Sequence, residues 1–176
     1  MTNKAVFLDR DGVINRARMI DGRPYPPASL EALELLPEVP AGVDALRNAG
    51  FLTIVVTNQP DVATGKQDVA VVEAMHQFLR NRLDLDDIFV CYHTDEHGCE
   101  CRKPKPGMLL AAAQKWSVDL TRSFIVGDRW RDIEAGQRAG CRTLWVRNPE
   151  NRERPPGNPD WTVRSLFEAS QVINQR

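Results

Sequence analysis

Short, continuous apolar runs alternate with helix-length amphipathic stretches along most of this chain, and that alternation narrows its possible folds more than any other feature. The runs lie at residues 4–8, 51–57, 88–92, 123–126 and 143–146, with a weaker one at Trp161–Val163. They are rich in Val, Ile, Leu and Phe and do not alternate with polar residues, the pattern of strands covered on both faces. Helix candidates lie between them at 39–49, 68–83, 107–116 and 130–139, and 164–173 reads as a last helix. Gly50 and Gly140 stop two of these where a left-handed cap is favoured. Strand–helix alternation implies right-handed crossovers, so an α/β, Rossmann-like parallel sheet with helices on both faces is expected.

The 176 residues suffice for one domain, spanning 1–176, with a real hydrophobic core. No insertion is long enough for a separate cap domain, so the site should be roofed only by loops. Two stretches are expected to be irregular. Residues 21–27 carry three prolines in four positions, which forbids helix or central strand. Residues 147–160, rich in proline and charge, should be a surface excursion.

A net charge of −1 gives no field that would draw the protein to nucleic acid or a membrane surface. No apolar run reaches membrane-spanning length, and the N-terminus lacks a secretory pattern. A cytoplasmic monomer acting on a small molecule is expected. In a reducing compartment the four cysteines call for a metal or for burial, not for disulfides.

Ligands of parallel sheets gather beyond the carboxyl ends of the strands. Asp9, Thr57 and Asp128 fall at three such ends, far apart in sequence. Asp9 and Asp11, followed by Gly12, supply two carboxylates one residue apart where a buried strand gives way to a turn. That spacing suits phosphoryl transfer: Asp9 attacks phosphorus while Asp11 handles the leaving group's proton and later activates water. A carboxylate facing a phosphate dianion needs charge neutralisation, so a magnesium ion is implied. Its hard oxygen ligands are Asp9, the backbone carbonyl of Asp11 and Asp128. Asp132, one turn further on, orients metal-bound water or caps its helix. Thr57 and Asn58 would hold the transferring phosphoryl group, and Lys103 would offset charge building on its oxygens. An Asp-x-Asp alone also fits a solvated turn, and exposed lysines are common. The fragment Gly65-Lys66 is no P-loop, since its first glycine is missing.

Cys91, Cys99 and Cys101, with His93 or His97, offer three thiolates and an imidazole within one hydrophilic loop. Four such ligands with no open position describe a structural zinc site. It would stiffen the segment leading to Lys103. Cys141, before a strand, reads as packing.

In chain order, Phe7-Leu8-Asp9-Arg10-Asp11-Gly12, Val55-Val56-Thr57-Asn58, Cys101-Arg102-Lys103-Pro104 and Val126-Gly127-Asp128 resemble the motif set of the haloacid dehalogenase phosphatases. The zinc loop points to their capless, zinc-containing branch. That resemblance implies an aspartyl-phosphate mechanism, favours His93 as the imidazole ligand, and counts Arg10, Asn58 and Gln59 among the substrate-binding residues. Residues 101–109, with Pro-Gly-Met-Leu after the lysine, are similar to the heptose bisphosphate phosphatases. By that likeness Arg102 would meet the sugar's other phosphate and Arg129 would help hold the substrate. Five residues between His93 and Cys99 also suit the histidinol-phosphate phosphatases, the competing enzyme reading. Pro60 and Asp61 replace the Ser-Gly usual after Thr-Asn-Gln, and 16–27 lack the familiar His-Gly-Tyr. A zinc-stabilised module that binds a phosphorylated ligand without turnover is the remaining alternative.

Overall fold

A computed structural model describes residues 2–154 and 157–176. Six strands form one parallel sheet: β1 (Ala5–Leu8), β4 (Leu52–Asn58), β5 (Asp87–Cys91), β6 (Phe124–Gly127), β7 (Arg142–Val146) and β8 (Trp161–Val163). Their order is β5-β4-β1-β6-β7-β8. The chain builds outward from β1 on one side, then returns to its other edge. The crevice this reversal leaves, beyond the ends of β4, β1 and β6, is where doubly wound sheets bind ligands.

The apolar runs feed two cores. Val6 and Leu8 of β1, Val55 of β4 and Val126 of β6 face one; Phe7, Ile54, Val56 and Ile125 face the other. Each such side chain contributes about 1.5–3 kcal/mol by leaving water. Helices α1 (Val39–Asn48), α2 (Val69–Arg82) and α5 (Leu166–Asn174) cover the first face through Val43, Met75 and Ala169. Helices α3 (Gly107–Trp116) and α4 (Trp130–Ala139) cover the second through Leu109 and Ala135. Cys141 packs in that second core.

Element ends differ from the sequence reading by a residue or two. Helix α5 begins at Leu166 because the Ser165 side chain accepts from Glu168 N and caps it. Asp68 likewise caps α2 from outside, accepting from Ala70 N.

The roof over the crevice corrects the expectation of irregular loops. Residues Arg18–Ile20 (β2) and Arg23–Tyr25 (β3) form an antiparallel hairpin. Asp21 and Gly22 both have positive φ, 52° and 75°, the type I′ turn that an Asp-Gly pair favours. Pro24 stands opposite Met19, the pair between two hydrogen-bonded ones, so its missing N–H costs the ladder nothing. The prolines excluded a central strand, and β3 is not one.

The 147–160 excursion also does more than cross the surface. Asn151 Nδ2 donates to Asp128 O (3.0 Å), Arg152 N donates to Gly22 O (3.1 Å), and Glu153 pairs with Arg129. It ties the hairpin to the end of β6. Pro155 and Pro156 lie outside the described residues. Among the described residues, no helix is long and apolar enough to cross a membrane.

Candidate active site

Asp9 follows β1 and Asp128 follows β6, which are hydrogen-bonded neighbours, so register alone sets the two carboxylates side by side. Asp132 joins them from the first turn of α4. Carboxylate oxygens of all three lie within 4.8 Å of one another, and all three residues are buried. Lys103 Nζ enters the group, donating to Asp9 Oδ1 (2.8 Å), Asp132 Oδ1 (2.5 Å) and Val56 O (2.7 Å). Its backbone is pinned by Asn58: Asn58 Nδ2 donates to Lys103 O and Lys103 N donates to Asn58 Oδ1, both at 3.1 Å. Asn58 thus fixes the cation as well as lining the cavity.

The electrostatics follow from this crowding. Burial first, and then Asp132, push the Asp9 carboxyl up to about 6, against the pull of Lys103. Burial and the neighbouring Asp9 hold Asp128 well above the usual carboxylate range. Burial works against the Lys103 ammonium, but the Asp132 and Asp9 carboxylates outweigh it and keep it charged.

Both oxygens of Asp128 are buried without a hydrogen-bond partner. An unpaired buried carboxylate is costly, so this residue fits a cation that it faces with hard oxygen donors. Asp132 is already committed: Oδ1 to Lys103, and Oδ2 to Arg129 N (3.0 Å) at the start of α4. It serves as the helix cap named as one of its two roles. Asp9 and Asp128 are therefore the pair that fits the expected magnesium ion. Gly12, at φ +94°, lets the loop lie against Asp128; a Cβ there would stand 2.2 Å from Asp128 Oδ2.

The Asp11 carboxylate does not point into the acidic cluster. Its oxygens accept from Arg10 Nε (3.1 Å) and Nη2 (3.0 Å), Asn15 Nδ2 (2.9 Å) and Gln59 Nε2 (2.8 Å), while the residue still borders the cavity. Two residues expected to bind substrate turn toward Asp11 instead of lining the cavity. Arg10 is fully enclosed and spends its guanidinium on Asp11 and His76. Gln59 is buried and donates to Asp11 and to Thr57 Oγ1 (2.9 Å). Both are polar side chains next to a motif, and sequence could not say which way they turn. Thr57 is buried at the end of β4, its hydroxyl hydrogen not used by that bond.

Above the carboxylates lies a cavity of about 240 Å³. Arg102 and Arg129 reach its wall, and so do Arg131 and Arg23, which the sequence reading missed. Asp95 anchors two of them from behind, accepting from Arg102 Nε (2.8 Å) and from Arg131 Nη1 and Nη2 (2.8 and 3.0 Å). These guanidiniums lower the Asp95 carboxyl to about 2. Tyr25 and Pro24 of the hairpin close the far side.

Beside the cavity, Cys91, His93, Cys99 and Cys101 converge within 4.8 Å. Their sulfur separations are 3.1, 3.4 and 3.7 Å, at or inside the roughly 3.8 Å that tetrahedral Zn–S bonds of about 2.3 Å imply, so the group would open slightly around an ion. His97 Nδ1 is engaged by Thr94, at 3.2 Å from N and 2.8 Å from Oγ1, which leaves His93 as the imidazole of the group.

Comparison with known proteins agrees with this geometry. A family profile described as HAD-hydrolase-like matches residues 100–169. The chain is 37% identical over 155 residues to the D-glycero-beta-D-manno-heptose-1,7-bisphosphate 7-phosphatase of Pseudomonas aeruginosa, covering 84% of this chain and 83% of that one. It is 32% identical over 186 aligned residues to the protein of the same name from Escherichia coli, covering 98% and 94%. Among solved structures, the D,D-heptose 1,7-bisphosphate phosphatase of B. bronchiseptica, complexed with magnesium and phosphate, superposes with a TM-score of 0.84 at 31% identity over 98% of each chain. By fold and by identity across most of its length, this chain belongs to the heptose bisphosphate phosphatase family of haloacid dehalogenase-like hydrolases.

Proposed function

We propose that this phosphatase removes the C7 phosphate of a D-glycero-D-manno-heptose 1,7-bisphosphate, leaving the heptose 1-phosphate. The observation that carries the reading is the single cavity joining two different anion sites. Its floor holds Asp9 and Lys103, and its wall holds Arg102, Arg129 and Arg131. A monoester needs one such site; a bisphosphate uses both.

Asp9 acts as nucleophile through a carboxylate oxygen. As its bond to phosphorus forms, the P–O bond to the sugar breaks, and Asp11 delivers the proton that the departing oxygen needs. Asp11, then ionised, takes a proton from the water that attacks phosphorus and frees Asp9. Lys103, already aimed between Asp9 and Asp132, offsets negative charge growing on the transferring oxygens without having to reorganise. Thr57 offers its hydroxyl hydrogen, and Asn58 holds Lys103 in place. Magnesium, held by Asp9, Asp128 and the Asp11 carbonyl, supplies the charge neutralisation that lets a carboxylate approach a dianion.

Arg102 and Arg129 hold the non-reacting phosphate, which a guanidinium fork suits. The four zinc-loop ligands hold a structural zinc that keeps 91–103 rigid. Strands and site residues come from both halves of the chain, so 1–176 is read as one catalytic unit. Steady-state kinetics on heptose 1,7-bisphosphate and histidinol phosphate test the substrate. A higher kcat/KM for the bisphosphate is expected; a preference for histidinol phosphate overturns the assignment.

A further inference from the structure

Behind Asp11, on the side away from the cavity, lies a buried polar chain that the proposed chemistry does not use. Arg10 is fully buried, and its fork holds both Asp11 oxygens, Nε on Oδ1 and Nη2 on Oδ2. Its remaining arm, Nη1, lies 3.3 Å from Nε2 of His76, a residue of α2 that is 1% exposed. A guanidinium can only donate, so Nε2 accepts and the ring proton sits on Nδ1. That nitrogen faces Glu73 Oε1 at 3.6 Å. Burial, and then the Arg10 charge, lower the His76 imidazole to about 4, so it is a neutral acceptor near pH 7.

An arginine and a histidine fill a place where two apolar side chains would pack without any polar cost. Leaving an N–H arm of a buried guanidinium without its acceptor is costly, so the fork turns to find another acceptor if His76 is lost. The oxygens it would disturb are those of Asp11.

We propose that His76, acting through Arg10, is a positioning residue for Asp11, fixing where the general acid stands and so how well the leaving oxygen is protonated. This rests on the assignment of Asp11 as the acid. In the first step the Asp9 O–P bond forms and the ester P–O bond breaks, while a proton carried on Asp11 Oδ2 in place of the Gln59 bond, with the Arg10 fork kept, moves to the released oxygen.

The need for that proton rises with the basicity of the leaving oxygen, which gives a readout that loose packing does not move. The assay measures kcat/KM of the full-length, magnesium-loaded enzyme on a series of aryl phosphates running from p-nitrophenyl to phenyl, with an alkyl phosphate at the end. For His76→Leu, the loss grows along the series from within about twofold on p-nitrophenyl phosphate to about tenfold or more on the alkyl ester. His76→Gln keeps an acceptor for Arg10 and restores the wild-type slope. If His76→Leu does not accumulate, Arg10→Lys, which keeps the charge but loses the fork, shows the same steepening. An equal loss across the series, no loss at all, or a Gln variant that behaves like Leu overturns the proposal. Asp11→Asn separates the two layers. If it leaves the slope unchanged, the acid assignment falls and this inference with it. If it steepens the slope and His76→Leu does not, only the positioning role falls.

Discussion

Lys103→Met removes the cation that touches both Asp9 and Asp132 while keeping most of the side-chain volume. Its ammonium is 2% exposed and gives up three bonds, to Asp9, Asp132 and Val56 O. Breaking a buried ion pair by deleting one partner costs about 3–5 kcal/mol, because the remaining charge is left uncompensated. The protein can limit that cost by protonating Asp9, whose pKa is already about 6 with Lys103 its main downward pull. Without the lysine, Asp9 keeps its proton to higher pH, so the penalty of the substitution grows as pH rises past 6. Urea denaturation of metal-free protein at pH 5 and pH 8 reads this directly. The variant should lose about 1–2 kcal/mol at pH 5 and about 3–5 kcal/mol at pH 8. Equal losses at the two pH values would refute the reasoning, since they would mean that no carboxylate takes up a proton when the lysine is gone. Turnover should fall by about 10²–10³ at either pH.

Metal-free wild type carries the same signature. The folded pKa of Asp9, about 6, lies above its ordinary 3.8, so its contribution to stability is fully present below about pH 4 and is lost as pH rises through 6. Magnesium should therefore raise the thermal midpoint more at pH 8 than at pH 5, as scanning calorimetry would show. Gly12→Ala sets a methyl 2.2 Å from Asp128 Oδ2 on backbone at φ +94°, and should weaken magnesium affinity, measured by titration calorimetry, along with activity. Cys99→Ser should lose bound zinc by elemental analysis and raise amide exchange across 91–103, while exchange in β1 and β6 stays unchanged.

The sheet and the convergence of Asp9 and Asp128 could be read from the sequence because they depend on period and strand ends, whereas Lys103, in a loop, could be placed only by its resemblance to the motif set. A strand buried on both faces must be apolar, as β1 and β6 are throughout and β4 is over its central Ile54–Val56. The hairpin was missed although Asp21-Gly22 announces it: the flanking Pro24 was weighed as a breaker, and its harmlessness depends on which pairs carry ladder bonds. The orientations of Arg10 and Gln59 could not be read from local sequence. Both turn toward Asp11, and His76, the partner of Arg10, lies 66 residues away on another element. Arg131 was passed over for a similar reason. Its place in the cavity wall is set by Asp95, a zinc-loop acid that α4 approaches only in three dimensions.

Covalent capture of the phosphoryl group tests the central claim most directly. Acid quenching during a single turnover, followed by borohydride reduction, converts a phosphorylated aspartate to homoserine that peptide mass spectrometry can locate. The conversion should fall on Asp9 and disappear in Asp9→Asn. Homoserine at Asp11, or rapid turnover that leaves every aspartate unmodified, would contradict the account.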